Sequence, residues 1–346
     1  MFVRNTWYVV AFSDEIGPGR PFARTVIGES IVCFRTSDGR VAAMDDRCLH
    51  RRMPISLGKV TAADTLVCPY HGLEYNARGE CVVVPGQSKG ITKCLRAYPA
   101  EERYGLVWLW MGDPGQADPD LIFPCPALQD SGLNQVRLYR HAAANYLLLN
   151  DNLADLMHVA FLHGTTAGNV EMADARSEMK INGFGYHFIR QTHDIPPPAA
   201  YARLATFRGN VDRWHIVDFQ APSFFAVSPG AAEVGTGGPQ SRQPVGSGRY
   251  TFTSHHLITP ESERSLHYFQ VNAFALPISS ETHRFFDTVI DEDVWVIEHQ
   301  QRSIDARPNA PVVSIDSDAP TLQMRKLVSQ MLAAEARPAP AAAQRA

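Results

Sequence analysis

Through the first 115 residues the apolar positions come in short runs. "SIVCFRT", "RVAAMDD", "CVVVPG" and "YGLVWLWMG" are rich in β-branched and aromatic residues and are bounded by Gly, Asp, Ser or Asn, the signature of short strands. No 3.6-residue periodicity interrupts them, so residues 1–115 predict a small all-β domain. "GDPGQADPDLIFPCPALQDSG" is punctuated by Pro, Gly and Asp and predicts a linker over 116–130. Beyond it the pattern changes. "NYLLLNDNLADLMHVAFLH" predicts a helix. Strand-like stretches follow around "GYHFIRQTH", "RWHIVDFQ", "SFFAVSP", "YTFTSHHLITP" and "SLHYFQVNAF", then a long helix near Glu281 to Arg307. The second domain is therefore α+β, an antiparallel sheet flanked by helices, over 131–335. The stretch "GAAEVGTGGPQSRQPVGSG" predicts a mobile loop. "TLQMRKLVSQMLAAEA" predicts a docking helix or the edge of an oligomer, and the low-complexity end, 336–346, a disordered tail.

Composition narrows the function. A chain of 346 residues, 45% hydrophobic and 20% charged, has room for two domains with real cores. The net charge of −4 and the absence of a basic run argue against nucleic acid as a partner. No segment approaches the roughly 18 apolar residues of a membrane span, and the N-terminus is too broken for a secretory leader. A cytoplasmic protein without a membrane partner is expected. Cys33, Cys48, Cys68, Cys81, Cys94 and Cys125 all fall in the first 125 residues. In a reducing compartment this predicts metal ligation by some of them rather than disulfides, the others being small buried residues.

Four residues stand out. Cys48 and His50 form Cys-x-His, and Cys68 and His71 form Cys-x-x-His. Zinc fingers usually pair cysteines in one turn and histidines on a following helix. Here each half gives one of each, in a turn-rich context with Pro54 and Gly58, or Pro69 and Gly72. Two facing loops of this kind put two thiolates on one iron and two imidazoles on a second, the Rieske [2Fe-2S] arrangement. A structural zinc site is the alternative.

"CLHRRMPISLGKV…CPYHGLEY", with "RNTWYVVA" and "AYPAEERYGLVWLWMGDP", resembles the Rieske non-haem iron oxygenases. The likeness is to the oxygenase components of vanillate O-demethylase, dicamba O-demethylase and toluenesulfonate methyl-monooxygenase. Leu73 stands where the ring-dihydroxylating branch more often has Trp, which points to the monooxygenating side.

A second constellation suits that reading. "NDNLADLMHVAFLH" holds Asn152, Asp155, His158 and His163. On a helix Asp155 and His158 share a face, while His163 converges only if the helix bends or ends near Phe161. Two His and one carboxylate with open positions is the facial triad of oxygen-activating ferrous iron. For the carboxylate, Asp291, Glu292 and Asp293 compete. Phe286, Val289, Ile290, Val296 and Ile297 surround position 293 at helical spacings, so Asp293 sits mid-stripe and the other two lie off its centre. A lone buried carboxylate is costly unless paired or metal-bound; a salt bridge to a buried Arg is the alternative.

The resemblance implies more than the spacings do. It makes His158, His163 and Asp293 ligands of one mononuclear Fe(II), and Asp155 a catalytic bridging residue. Asn152 matches a polar position in the same segment. It implies a homotrimer in which His71 of one subunit reaches that aspartate in its neighbour. It implies a monooxygenase of aromatic catabolism that takes O2, and electrons from NAD(P)H through a flavin/iron-sulfur reductase, with or without a ferredoxin. The reaction expected is hydroxylation of a methyl or methoxy group of a small aromatic, the latter releasing formaldehyde. Aromatic acids need a cation or donors in the pocket. Of His255 and His256, strand alternation sends one inward, and the resemblance picks His256, with Ser223 as a second substrate contact. Arg203, Arg208 and Arg213 read as surface charge. A Rieske-type electron-transfer or regulatory protein with a non-catalytic second site is the alternative function.

Overall fold

The structure is a computed structural model that describes residues 1–87 and 91–336. The N-terminal third is all β, as its short apolar runs predict. It holds a sheet of Phe22–Val26, Glu29–Arg35, Val41–Asp45 and Ala97–Tyr98. Beside it lie a three-stranded sheet of Trp7–Phe12, Leu106–Trp110 and Ala100–Arg103, and a smaller four-stranded one of Lys59–Val60, Leu66–Val67, Glu74–Tyr75 and Cys81–Val83. Cys33, Cys81 and Cys125 are buried as expected, but Cys94 is exposed. The expected linker is no loose tether. It is wound into short 3₁₀ turns, and Ile122, Phe123, Cys125 and Leu128 are buried against the N-terminal core.

The second domain is built on one antiparallel sheet. From edge to edge its strands are Asn134–Ala142, Ser265–Phe274, Thr253–Ser262, Phe224–Glu233, Val211–Gln220, Gly185–Ile195 and Arg176–Asn182, with Arg249–Thr251 also paired to Phe224–Glu233. Helices α1 (Tyr146–Ala154), α2 (Ala199–Leu204), α3 (Ser280–Ala306) and α4 (Ala319–Glu335) accompany it. The α+β expectation holds. The central strands are buried on both faces: Leu266–Phe274 and Ser254–Pro260 are without an exposed residue. One face takes the helices. The other takes the N-terminal domain, with Leu257, Phe269 and Val271 in the same core as Val9, Trp108 and Leu109. Ile27 N donates to Pro260 O at 2.7 Å and Thr259 Oγ1 to Val9 O at 2.5 Å, so the two domains are joined by hydrogen bonds as well as by packing.

One expectation is corrected. The helix expected through His163 stops at Ala154. Asp155 caps it with extended dihedrals (φ −92°, ψ 93°), and its Oδ1 accepts from Met157 N at 2.9 Å, starting a new turn. The glycine-rich stretch expected to be mobile begins within a strand, and Arg249 Nη1 donates to Ser241 O at 2.8 Å. The C-terminal helix expected to dock does so on its own chain. Met324, Leu327 and Val328 are buried in the core, Arg325 pairs with Asp151 through Nε at 2.8 Å, and Glu335 accepts from Arg4 N and Asn5 N. Of the tail expected to be disordered, 336–346, Ala336 caps the last helix and residues 337–346 lie outside the described residues.

Gly230 stands directly opposite Trp214 on the neighbouring strand, and a Cβ there would lie 2.1 Å from Trp214 Cζ2. The indole is buried and cannot yield. Gly230→Ala is expected to cost about 1–3 kcal/mol, as overpacked cores do, read as a lower thermal midpoint with the visible spectrum of the N-terminal domain unchanged at 20 °C or so below it.

Candidate active site

The first constellation lies in two loops with the same backbone. Cys48 N donates to Met53 O at 2.8 Å and Arg52 N to Cys48 O at 2.9 Å. In the second loop Cys68 N donates to Leu73 O at 2.8 Å and Gly72 N to Cys68 O at 3.0 Å. Arg52 and Gly72, equivalent in the two turns, both have left-handed φ, 58° and 72°. Each turn puts its cysteine at the base and its histidine at the tip. Cys48 and Cys68 are buried, with their thiols in reach of one another. His50 and His71 are exposed, with ring centroids 4.5 Å apart. The donors thus split into a sulfur pair and a nitrogen pair. They do not converge on one point, since among the described residues only His158, His163 and Asp293 place three such donor atoms within 4.8 Å of one another. A single zinc is a poor fit and a two-iron cluster a good one. Tyr75 is a residue that the motif does not reveal. Its hydroxyl accepts from Leu49 N at 3.1 Å and lies 3.2 Å from Cys48 Sγ, so its proton is left for the sulfur, and hydrogen bonds to sulfur are one lever on cluster potential.

The second constellation is assembled by the break after α1. Because Asp155 is extended, its backbone carbonyl rather than its carboxylate takes the Nδ1 of His158. His163 Nδ1 is taken by Glu292 Oε2 at 2.6 Å, and that oxygen also accepts from Thr166 Oγ1 at 2.9 Å. With each Nδ1–H engaged, both Nε2 lone pairs are left for a cation. They lie 3.7 Å (His158) and 3.1 Å (His163) from Asp293 Oδ1. That oxygen is buried without a hydrogen-bond partner, because the His163 approach is not aligned as a hydrogen bond. Asp293 comes from α3, whose buried positions Phe286, Ile290, Asp293 and Ile297 follow the apolar stripe.

Electrostatics agree with a cation at this point. Burial works against a charged His163, yet Asp293 and Glu292 push it up to about 9. Burial pushes His158 down against the pull of Asp293. Burial would raise Asp293, but the two imidazoles hold it below the usual carboxylate range. Two neutral imidazoles and one carboxylate make the donor set of ferrous iron, so the residues fit the group. Asp291, by contrast, pairs with Arg140 Nε at 2.7 Å on the outside. Glu292 is the ligand-orienting residue that the stripe argument passes over.

Strand register builds the floor of a cavity next to these donors. His215 faces Pro229, Val227 faces Ser254, and His256 faces Gln270 across neighbouring strands, and all six line the cavity. Phe252, Phe285, Phe286 and Val289 close it with Leu153 and Leu156, around about 600 Å³ of space counted to the mouth. His256 reaches the cavity as expected, with Nδ1 2.5 Å from Tyr268 Oη, and burial pushes its pKa down to about 3. His255 is buried too, on the opposite face, and is pushed by burial down to about 4. Ser223 does not line the cavity; its hydroxyl donates to Ile258 O at 2.7 Å. Asn152 keeps a buried Oδ1 without a partner. Arg203 pairs with Glu281 near the surface, but Arg213 is 1% exposed and is not surface charge.

Comparison with known proteins agrees over the whole chain. Residues 6–99 match the Rieske [2Fe-2S] domain family and residues 142–334 the vanillate O-demethylase oxygenase C-terminal domain family. The chain is 37% identical to a putative toluene-4-sulfonate monooxygenase system iron-sulfur subunit of Comamonas testosteroni, over 97% of this chain and 98% of that one. It is 34% identical to a vanillate O-demethylase oxygenase subunit of a Pseudomonas species, over 99% and 98%. The crystal structure of dicamba monooxygenase bound to 3,6-dichlorosalicylic acid matches with a TM-score of 0.87 at 29% identity, covering 97% of this chain and 99% of that one.

Removing Asp293 takes away the anionic donor, whereas removing the charge of Glu292 only loosens His163. Asp293→Ala is expected to lose the mononuclear iron and keep the cluster spectrum. Glu292→Gln should bind iron about 10–100-fold more weakly. Iron titration with the cluster absorbance as internal standard checks both, and equal loss in the two variants would make Glu292 a ligand.

Proposed function

This chain belongs to the Rieske non-haem iron oxygenase family that includes vanillate O-demethylase, and from that membership we propose that it hydroxylates a methyl or methoxy carbon of a small aromatic substrate. It is the oxygenase component of a multicomponent monooxygenase, with one [2Fe-2S] cluster and one mononuclear iron per chain, and it works with a reductase. The observation that carries the proposal is the apolar cavity whose wall includes His158, His163 and Asp293. Relatives named for toluenesulfonate and vanillate present a methyl or a methoxy group on one ring.

Cys48 and Cys68 would hold one cluster iron and His50 and His71 the other, while His158, His163 and Asp293 would hold the mononuclear iron. When bound, that iron supplies oxygen activation and the cluster supplies electrons singly. The chain does the rest. Phe252, Phe285 and Phe286 give the ring an apolar slot, and excluding water there protects a reactive site. Glu292 and the Asp155 carbonyl keep the ligand rings turned inward. The balance is fixed by the class: one oxygen atom enters a C–H bond, the other leaves as water, and NAD(P)H gives two electrons through the reductase. A methoxy carbon then becomes a hemiacetal and releases formaldehyde, whereas an aryl methyl becomes a benzylic alcohol.

Purified protein should contain about three irons and two acid-labile sulfides per chain. With a reductase, a panel of methyl- and methoxy-aromatics should yield benzylic alcohol or formaldehyde in step with NAD(P)H consumed. Two irons per chain and no product from any member of the panel would leave only the electron-transfer reading.

The electron path runs between subunits of a homotrimer. His71 and Tyr70, rings 3.8 Å apart, are exposed, and in this reading they meet Asp155 of a neighbouring subunit. Among the described residues the Asp155 carboxylate accepts through Oδ1 alone, which leaves the other oxygen for that contact. Asp155→Asn is expected to keep both metals and the trimer mass yet lose nearly all turnover. Single-turnover oxidation of the reduced cluster decides it: oxidation at the wild-type rate would remove Asp155 from the path, and loss of iron would make it a ligand.

A further inference from the structure

Arg213 and His215 lie two apart on the strand Val211–Gln220 and so face the same side, towards the cavity. Arg213 is 1% exposed and touches no carboxylate among the described residues; Glu171 acts on it through charge alone, without an ion-pair contact. Its Nη2 donates to Ala167 O at 2.5 Å, its Nη1 to Asn169 Oδ1, and its Nε has no partner. Its guanidinium carbon stands 5.3 Å from the Tyr201 ring centre. The groups in contact with it are neutral. A buried cation contacted only by dipoles is expensive, and a further anion relieves that cost.

His215 connects this charge to the cavity. Arg213 Nη2 is 3.5 Å from His215 Nε2. A guanidinium has only donors, so Nε2 is the acceptor and the ring proton sits on Nδ1. The ring is neutral: burial, then Arg213, Arg190 and the two iron-site histidines, hold it well below its ordinary value. His215 is 3% exposed and lines the cavity, and its Nδ1 has no partner. A buried N–H donor with a cation behind it is thus left without an acceptor.

We propose that His215, held in this tautomer by Arg213, receives the anionic group of the aromatic substrate, a carboxylate or a sulfonate, and so selects aromatic acids. The proposal rests on the reading that the cavity takes an aromatic substrate. The other cavity histidine outside the iron-site triad suits an anion less well. His256 has its Nδ1 engaged by Tyr268 and feels the negative charge of Asp293. The charges acting on His215 are positive, Arg213 and Arg190, and a charge-assisted bond from Nδ1–H would be the stronger for them.

The test is binding without turnover, using iron-loaded protein with its cluster intact. The probes are 4-methylbenzoate against 4-methylbenzamide and 4-methylbenzenesulfonate against 4-methylbenzenesulfonamide, which distinguishes the two acids. Wild type should prefer at least one acid over its neutral amide. His215→Phe keeps a ring but removes the donor, and should lower that preference about tenfold or more, with the amide still bound. His215→Asn places an N–H where Nδ1 was, and should keep the preference. A preference unchanged in His215→Phe, as when the anion sits on the iron itself, overturns the proposal. So does wild type without any preference. If acids are preferred through His215 but no methyl or methoxy compound is turned over, the proposed reaction fails and the anion site stands.

Discussion

The catalytic domain is organised around one buried negative charge. Asp293 is 3% exposed on the apolar face of α3, and its Oδ1 has no hydrogen-bond donor. A carboxylate in that position is tolerable only beside a cation. The segment after α1 answers this need, and its shape follows from it. On an uninterrupted helix His158 and His163 would point about 140° apart, and only one would reach Asp293. The extended break at Asp155 and the turn after it bring the two rings to 5.1 Å between centroids. The same break frees a backbone carbonyl that no helix hydrogen bond uses, and His158 takes it. The geometry of the ligands and the end of the helix are one event.

What the sequence reveals of this depends on how local each cause is. Cys48, His50, Cys68 and His71 are legible because each loop carries its whole turn within a few residues, down to the left-handed position filled by Arg52 in one and Gly72 in the other. Asp293 is legible because the stripe that buries it lies on its own helix. Glu292 is not: its partner, His163, is 129 residues away, and nothing near Glu292 marks it as more than the edge of a stripe. The helix through His163 is overextended for a related reason. Its apolar spacing is real, and it is the Asp155 side chain, bonding to Met157 N, that favours a turn instead.

The central strands hide their chemistry in another way. Alternation separates inside from outside only when one face meets water. Here the N-terminal domain covers the far face, through contacts such as Ile27 N to Pro260 O that span more than two hundred residues. His255 and His256 are therefore both buried, on opposite sides, and Arg213, which reads from the sequence as surface charge, has no route to solvent. Ser223 illustrates the converse: a position that a family resemblance brings to the pocket is turned aside, because its hydroxyl satisfies Ile258 O.

The cavity that results is polar in a directed sense. Its iron-ligand wall carries Asp293, whose charge a bound metal would offset, and another part of its wall is backed by Arg213, which touches no carboxylate among the described residues. Between them the lining is mostly aliphatic and aromatic. A neutral aromatic would gain burial from such a cavity in either orientation. An anionic one would gain a preferred orientation, because only one part of the wall accepts its charge. Orientation matters more than affinity for a reaction that must choose one C–H bond, since binding that does not place the reacting carbon raises occupancy without raising rate. The guanidinium without a carboxylate in contact, which costs stability as any poorly paired buried charge does, gains a chemical use under the anion-site proposal: the position of the substrate's methyl or methoxy group then depends on where its acid group is held.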